Sequence, residues 1–234
     1  MSSPALLSID KIDQFYGESH TLWGLELEVA QRQCTCVLGR NGVGKTTMLK
    51  AVMGEVPIRG GKLLFDGTDI SRLPIEARPR LGIGYVPQGR QIFPLLSVEE
   101  NLRTGLGIGR SKRIPERIYE LFPVLLEMRG RRGGDLSGGQ QQQLAIARAL
   151  TLAPRLLILD EPGEGIQPNI VTEIGRVLRR LIDEDGLTVL LVEQKLPFAR
   201  RYADRFALID RGRNVAEGPI ESLSDELVAR HLGI

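Results

Sequence analysis

The segment Gly39-Arg40-Asn41-Gly42-Val43-Gly44-Lys45-Thr46 constrains this chain most, because it fits G-x-x-x-x-G-K-[ST]. Before it runs an apolar stretch, CTCVL, that stops at Gly39. After it Thr46, Leu49, Val52 and Met53 recur at helical spacing until Gly54. A strand that enters a glycine loop and leaves as a helix gathers free backbone N–H groups at the positive helix end, which makes a phosphate cradle. Lys45 is then placed to reach the β and γ phosphates and the Thr46 hydroxyl to ligate magnesium, with Thr47 next in the same turn. The motif on its own predicts a nucleotide and says nothing of its use.

The rest of the chain reads as an α/β protein. LLSI and LELEV are strands, GGKLLFDGTDI is punctuated like a short antiparallel hairpin, and Pro94 to about Leu150 is patterned as helix throughout. Strands return as LLILD and LTVLLVE with the helix NIVTEIGRVLRRLIDEDG between them, an order that implies a parallel sheet. The tail reads as a closing hairpin, FALIDRGRNVAEG, and an amphipathic helix, SLSDELVARHL. At 234 residues and 42% hydrophobic, this is one domain, with no repeats and no low-complexity tract. With 31 basic against 29 acidic residues nothing points to nucleic acid, and Arg129, Arg131 and Arg132 read as a solvated loop. No apolar run reaches about 18 residues, and the opening MSSPALLSID has no secretory pattern. Cys34 and Cys36, two apart on a strand, share one face and are expected as reduced core residues. His20 and His231 carry no catalytic expectation.

A second anion site follows at Leu136-Ser137-Gly138-Gly139-Gln140, where a serine hydroxyl and bare glycine amides open a helix. LSGGQ after a phosphate loop resembles the signature of the ATP-binding-cassette ATPases, and the resemblance covers essentially the whole chain. It implies a P-loop NTPase core (residues 1–89 and 151–234) with a mostly parallel sheet, an antiparallel β subdomain, and an inserted helical subdomain over residues 90–150. It further implies that Ser137, Gly138, Gly139 and Gln140 serve ATP held by a second subunit, in a head-to-tail dimer. Asp160 would organise Mg²⁺ with Thr46 and Gln88, the latter being the Q-loop glutamine of GYVPQGR. Glu161 would polarise the attacking water, and Tyr16, in FYG, would stack on adenine.

Two positions depart from that family's pattern. Gln194, in LLVEQK, stands where a histidine usually contacts the γ phosphate; it donates a hydrogen bond but cannot become cationic. Gln167, in EPGEGIQP, replaces the usual D-loop aspartate, and Gly163 stands at a threonine. YVPQGRQIFPLLSVEENL and the LLVEQ ending are similar to cassettes of the urea and branched-chain amino-acid uptake systems. EPGEGIQP favours the urea type, with branched-chain amino acids second. The implied partners are a second, non-identical cassette or a second copy, two integral-membrane permease subunits and, indirectly, a substrate-binding protein. The implied location is peripheral, on the cytoplasmic face of the inner membrane. Ile92, Phe93, Pro94 and Leu95 are the expected contact with a permease helix. A soluble cassette acting on DNA or ribosomes would carry coiled coils, cysteine clusters or a second phosphate loop, none of which the sequence contains.

Overall fold

A computed structural model describes residues 5–106 and 113–233. The opening MSSP and residues 107–112, which the helical reading of 94–150 spans, lie outside the described residues.

Two sheets enclose the phosphate-loop helix. Strands β1 (Ala5–Tyr16) and β2 (Ser19–Ala30) are longer than LLSI and LELEV suggest, and pair antiparallel over nearly their whole length. After β3 (Cys34–Leu38) and helix α1 (Lys45–Met53), strands β4 (Gly60–Phe65) and β5 (Thr68–Asp69) complete a four-stranded antiparallel sheet, ordered β2-β1-β4-β5. The two-residue turn Asp66-Gly67 has positive φ at both positions, the geometry that matches strand twist.

The short helix α2 (Ala77–Arg80) leads into β6 (Ile83–Val86). Among the described residues there follow the helices α3 (Val98–Leu106), α4 (Glu116–Leu121), α5 (Pro123–Glu127) and α6 (Gly138–Leu150). The chain then alternates through β7 (Leu156–Asp160), α7 (Pro168–Asp185), β8 (Thr188–Glu193), α8 (Leu196–Tyr202) and β9 (Arg205–Asp210). It ends with β10 (Arg213–Pro219) and α9 (Asp225–Leu232).

The second sheet runs β10-β9-β3-β8-β7-β6, all parallel except the antiparallel edge β10. Two of its strands escape the sequence pattern. IGYV, to which the pattern assigns no element, is an edge strand, and FALID, besides forming the expected hairpin with β10, inserts beside β3 as a fifth parallel strand.

Burial on both faces explains the near-continuous apolar runs. Cys34, Cys36, Leu157, Leu159, Val189 and Leu191 face one core, shared with α6, α7 and α8. Val37, Leu156, Ile158, Leu190 and Val192 face the other, where α1 lies between the two sheets on Met48, Leu49, Val52 and Met53. Each such side chain contributes about 1.5–3 kcal/mol by leaving water, so α1 is fixed from both sides. Gly54, at φ 78, ends it, and the fully buried Arg78 guanidinium sits over that end, where the helix dipole favours a cation.

Both cysteines are free and buried on the expected common face. Burial, helped by the Asp204 charge, pushes the Cys34 thiol up to about 12, and burial raises Cys36 as well. Neither should therefore react with an aromatic disulfide reagent at pH 8 until the protein is unfolded. A thiol that titrates quickly in the native protein would contradict this packing.

Candidate functional site

The parallel strands β3, β6, β7 and β8 end on the same edge of the sheet, and each delivers a polar group there, as open α/β sheets do at ligand sites. From the loop after β3, Asn41, Gly42, Gly44, Lys45, Thr46 and Thr47 face a cleft of about 500 Å³. Gln88 after β6, Glu161 after β7 and Gln194 after β8 close it from the other side.

Gly39 cannot be larger, because a Cβ there would stand 2.5 Å from the Ile209 carbonyl oxygen. Gly44, at φ 110, starts α1, and the Val43 carbonyl accepts the Gly212 N–H at 2.8 Å, which pins the loop to the turn after β9. Lys45, only 5% exposed, folds back so that its Nζ donates to the carbonyls of Gly39 at 2.7 Å and Arg40 at 3.0 Å. Burial lowers its pKa, and the neighbouring Glu161 and Asp160 charges oppose that. The Arg40 side chain is exposed and lies beside Gly233, away from the cleft.

Asp160 ends β7 at 2% exposure, and neither carboxylate oxygen has a hydrogen-bond partner among the described residues. Burial first, and the Glu161 charge second, push its pKa up to about 6. Thr46 and Lys45 pull the other way, although the Thr46 hydroxyl does not complete a well-formed hydrogen bond. An orphaned buried carboxylate beside a hydroxyl that lines a polar cleft is the donor set a hard divalent cation takes, so the residues present fit Mg²⁺.

Glu161 adopts a left-handed backbone, φ 49, which a non-glycine residue holds only where its surroundings fix it. Its Oε1 accepts from Gln194 Nε2 at 2.5 Å and lies 3.7 Å from Lys45 Nζ, so no interaction among the described residues claims its Oε2. The second hydrogen of Gln194 Nε2 goes to Asn41 Oδ1. Gln88 donates through Nε2 to Glu164 Oε2 at 2.9 Å.

The sequence reading missed three groups in this cleft. Glu193, 2% exposed, accepts the backbone N–H groups of Gly163, Gln194 and Lys195, at 3.3, 3.2 and 3.4 Å. Lys195 Nζ donates to the Gly163 carbonyl at 2.7 Å, so the turns after β7 and β8 are tied together. Glu164 is the third. The available signal was a carboxylate ending an apolar strand in LTVLLVE, just as Asp160 does in LLILD.

Ser137 caps α6 in a full capping box: its hydroxyl accepts Gln140 N–H at 3.4 Å, and Gln140 Oε1 accepts Ser137 N–H at 2.9 Å. With Gly138 and Gly139 they border a different cleft of about 480 Å³, which shares only Gly165 with the first. The structure therefore does not bring the signature residues to the phosphate loop of the same chain. Gln167 borders this second cleft as N-cap of α7 without a side-chain capping bond, which an aspartate there would readily make. Tyr16 ends β1 about half exposed and does not line the cleft; Thr21 of β2 does.

Residues 22–164 match the family model described as ABC transporter. The chain belongs to that family. An ABC cassette of this kind hydrolyses ATP, and in transporters such subunits work with membrane permease components. The high-affinity branched-chain amino acid transport ATP-binding protein BraG of Pseudomonas aeruginosa is 39% identical over 90% of this cassette and 91% of its own length. The lipopolysaccharide export system ATP-binding protein LptB of Escherichia coli K12 is 36% identical over 97% and 96%. The dimeric ATP-binding cassette MJ0796 bound to ADP and Pi superposes with a TM-score of 0.82 at 25% identity, covering 92% of this chain and 98% of that one. Among the described residues no helix is long and apolar enough to cross a membrane.

The position of Asp160 makes a stability prediction. Its folded pKa, about 6, exceeds the ordinary carboxylate value of 3.8, so folding favours the protonated form and stability falls as pH rises between those values. In chelator, Asp160→Asn should therefore stabilise the protein at pH 8 by roughly 1–3 kcal/mol, and the gain should vanish below about pH 4. Denaturant midpoints at the two pH values check it. A destabilised variant at pH 8 would contradict the orphaned carboxylate.

Proposed function

We propose that this cassette is the ATP-hydrolysing subunit of an importer for branched-chain amino acids, attached peripherally to its permease subunits at the cytoplasmic face of the membrane. The observation that carries the cargo class is the 39% identity with BraG along nine-tenths of the chain. The preference for urea drawn from EPGEGIQP has no support among these relatives; the branched-chain reading, ranked second on sequence, fits them better. The likeness to LptB favours export as the alternative.

In this reading the phosphate loop from Gly39 through Thr47 wraps the β and γ phosphates with backbone N–H groups, and Lys45 moves from the two carbonyls it now touches to phosphate oxygens. Thr46, Asp160 and Gln88 would hold Mg²⁺, which when bound would neutralise phosphate charge. Glu161 takes the proton of the attacking water on its free Oε2, while Gln194 and Lys45 fix Oε1. Gln194 holds its place through a neutral amide, so this contact does not titrate. Tyr16, whose exposed ring lies outside the cleft lining, is the residue that would stack on adenine.

The separation of the signature cleft from the phosphate loop supports a head-to-tail pair in which Ser137, Gly138, Gly139 and Gln140 of one cassette cover the ATP of the other. The second cassette is a similar, non-identical subunit or another copy. Residues 90–150 act as the helical subdomain. Beside the Gln88 loop, Phe93 (47% exposed) and Leu95 (81% exposed) present an apolar patch that suits a permease helix.

Lys45→Ala should weaken ATP binding by at least about tenfold, whereas Glu161→Gln should keep ATP bound and reduce turnover by about 10²-fold or more. Equal ATPase rates for wild type and both variants would overturn the site. The cargo is tested by ATPase activity of the chain reconstituted with the permease and binding-protein subunits encoded beside it. Stimulation by leucine and not by urea is the expected result; stimulation by urea alone would reverse the cargo, and no stimulation by either would favour the export alternative.

A further inference from the structure

Gln88 serves a cation only if the correct end of its amide faces it. The carbonyl oxygen binds a hard cation and the NH₂ group repels one, yet the two ends are nearly the same shape. A side chain on a loop, free to turn about its last bond, presents either end. In this structure the choice is made by Glu164, whose Oε2 lies 2.9 Å from Gln88 Nε2. A carboxylate accepts and does not donate, so it takes the NH₂ and turns the Gln88 oxygen away from itself.

The backbone that carries Glu164 is held in place. Its N–H donates to the Glu161 carbonyl at 3.1 Å. The preceding Gly163 is clamped at both polar groups, its N–H by Glu193 at 3.3 Å and its carbonyl by Lys195 Nζ at 2.7 Å. An acceptor carried on an anchored stretch of backbone after β7 therefore meets the loop that begins after β6. Gly89, Arg90 and Gln91, directly after Gln88, all have positive φ, so the loop turns sharply there and brings the amide back over the cleft.

We infer that Glu164 is a positioning residue that sets the orientation of the Gln88 amide and so delivers its oxygen to the cation. The inference rests on the assignment of Gln88 to the Mg²⁺ site made above. Glu164 also carries charge into the cleft, so it has two separable ways to favour a cation: as a hydrogen-bond acceptor for Gln88, or as a negative charge alone.

The test uses the purified full chain with Mn²⁺ as the probe, reading the Mn²⁺ concentration that half-saturates capture of a fluorescent, non-hydrolysable ATP analogue. Glu164→Ala is expected to raise that concentration about 3- to 10-fold. Glu164→Gln, whose side-chain oxygen still accepts from Gln88 without a charge, is expected to stay within about 2-fold of wild type. In a Gln88→Ala background, Glu164→Ala is expected to add nothing. An effect of Glu164→Gln equal to that of alanine, or a full effect persisting without Gln88, would show charge alone and overturn the inference. A silent Glu164→Ala beside a weakened Gln88→Ala would overturn the inference while leaving the Gln88 assignment intact. A silent Gln88→Ala would remove that assignment and the inference with it.

Discussion

A buried ammonium organises this molecule. Lys45 is desolvated at the start of α1, with two backbone carbonyls and the Glu161 carboxylate around it. Such a charge is tolerated only where its partners are held in place. The two-sheet architecture holds them: α1 is gripped between the antiparallel sheet and the parallel sheet, and the parallel strands stop level with one another at its N-terminus. Its contacts to the Gly39 and Arg40 carbonyls are the ones a bound anion would replace.

Around that centre the turns after β7 and β8 behave as one piece. Glu193 and Lys195 clamp Gly163 from both sides, and Gln194 reaches between them to link Glu161 with Asn41 of the phosphate loop. This linkage gives a physical account of the unusual glutamine. Its amide supplies two donors and uses both, so it joins the phosphate loop to the Glu161 carboxylate without needing a charge of its own. The left-handed backbone at Glu161 is stabilised by the same ties. The order of the cleft comes from side chains that hold backbone, more than from the groups that face the nucleotide.

Much of this was legible in the sequence because its signals are local. The glycine spacing of the phosphate loop, the paired carboxylates ending LLILD-Glu161, the glutamine of GYVPQGR and the capping box of LSGGQ are each written within eight residues, and each lies where the pattern puts it. Strand partners are not local. FALID reads equally well as half of a hairpin or as a parallel core strand, and only its pairing with β3, about 170 residues away, decides that it is both. Glu193 and Glu164 were missed for the same reason: a carboxylate after an apolar strand has meaning only once Gly163 and Gln88 are seen beside it. The cargo preference failed differently. It rested on one turn, EPGEGIQP, which shapes the Gly163 clamp and the signature cleft.

The central claim is that the cleft beside Lys45 is half of a site, completed by the signature residues of another cassette. The most direct measurement is an experimental structure of the Glu161→Gln variant trapped with ATP and Mg²⁺. The account predicts a γ-phosphate held by Lys45 of one cassette and approached from the other side by Ser137 of a second. A nucleotide enclosed by the phosphate loop and Ser137 of one and the same chain, or bound away from Lys45, would contradict it.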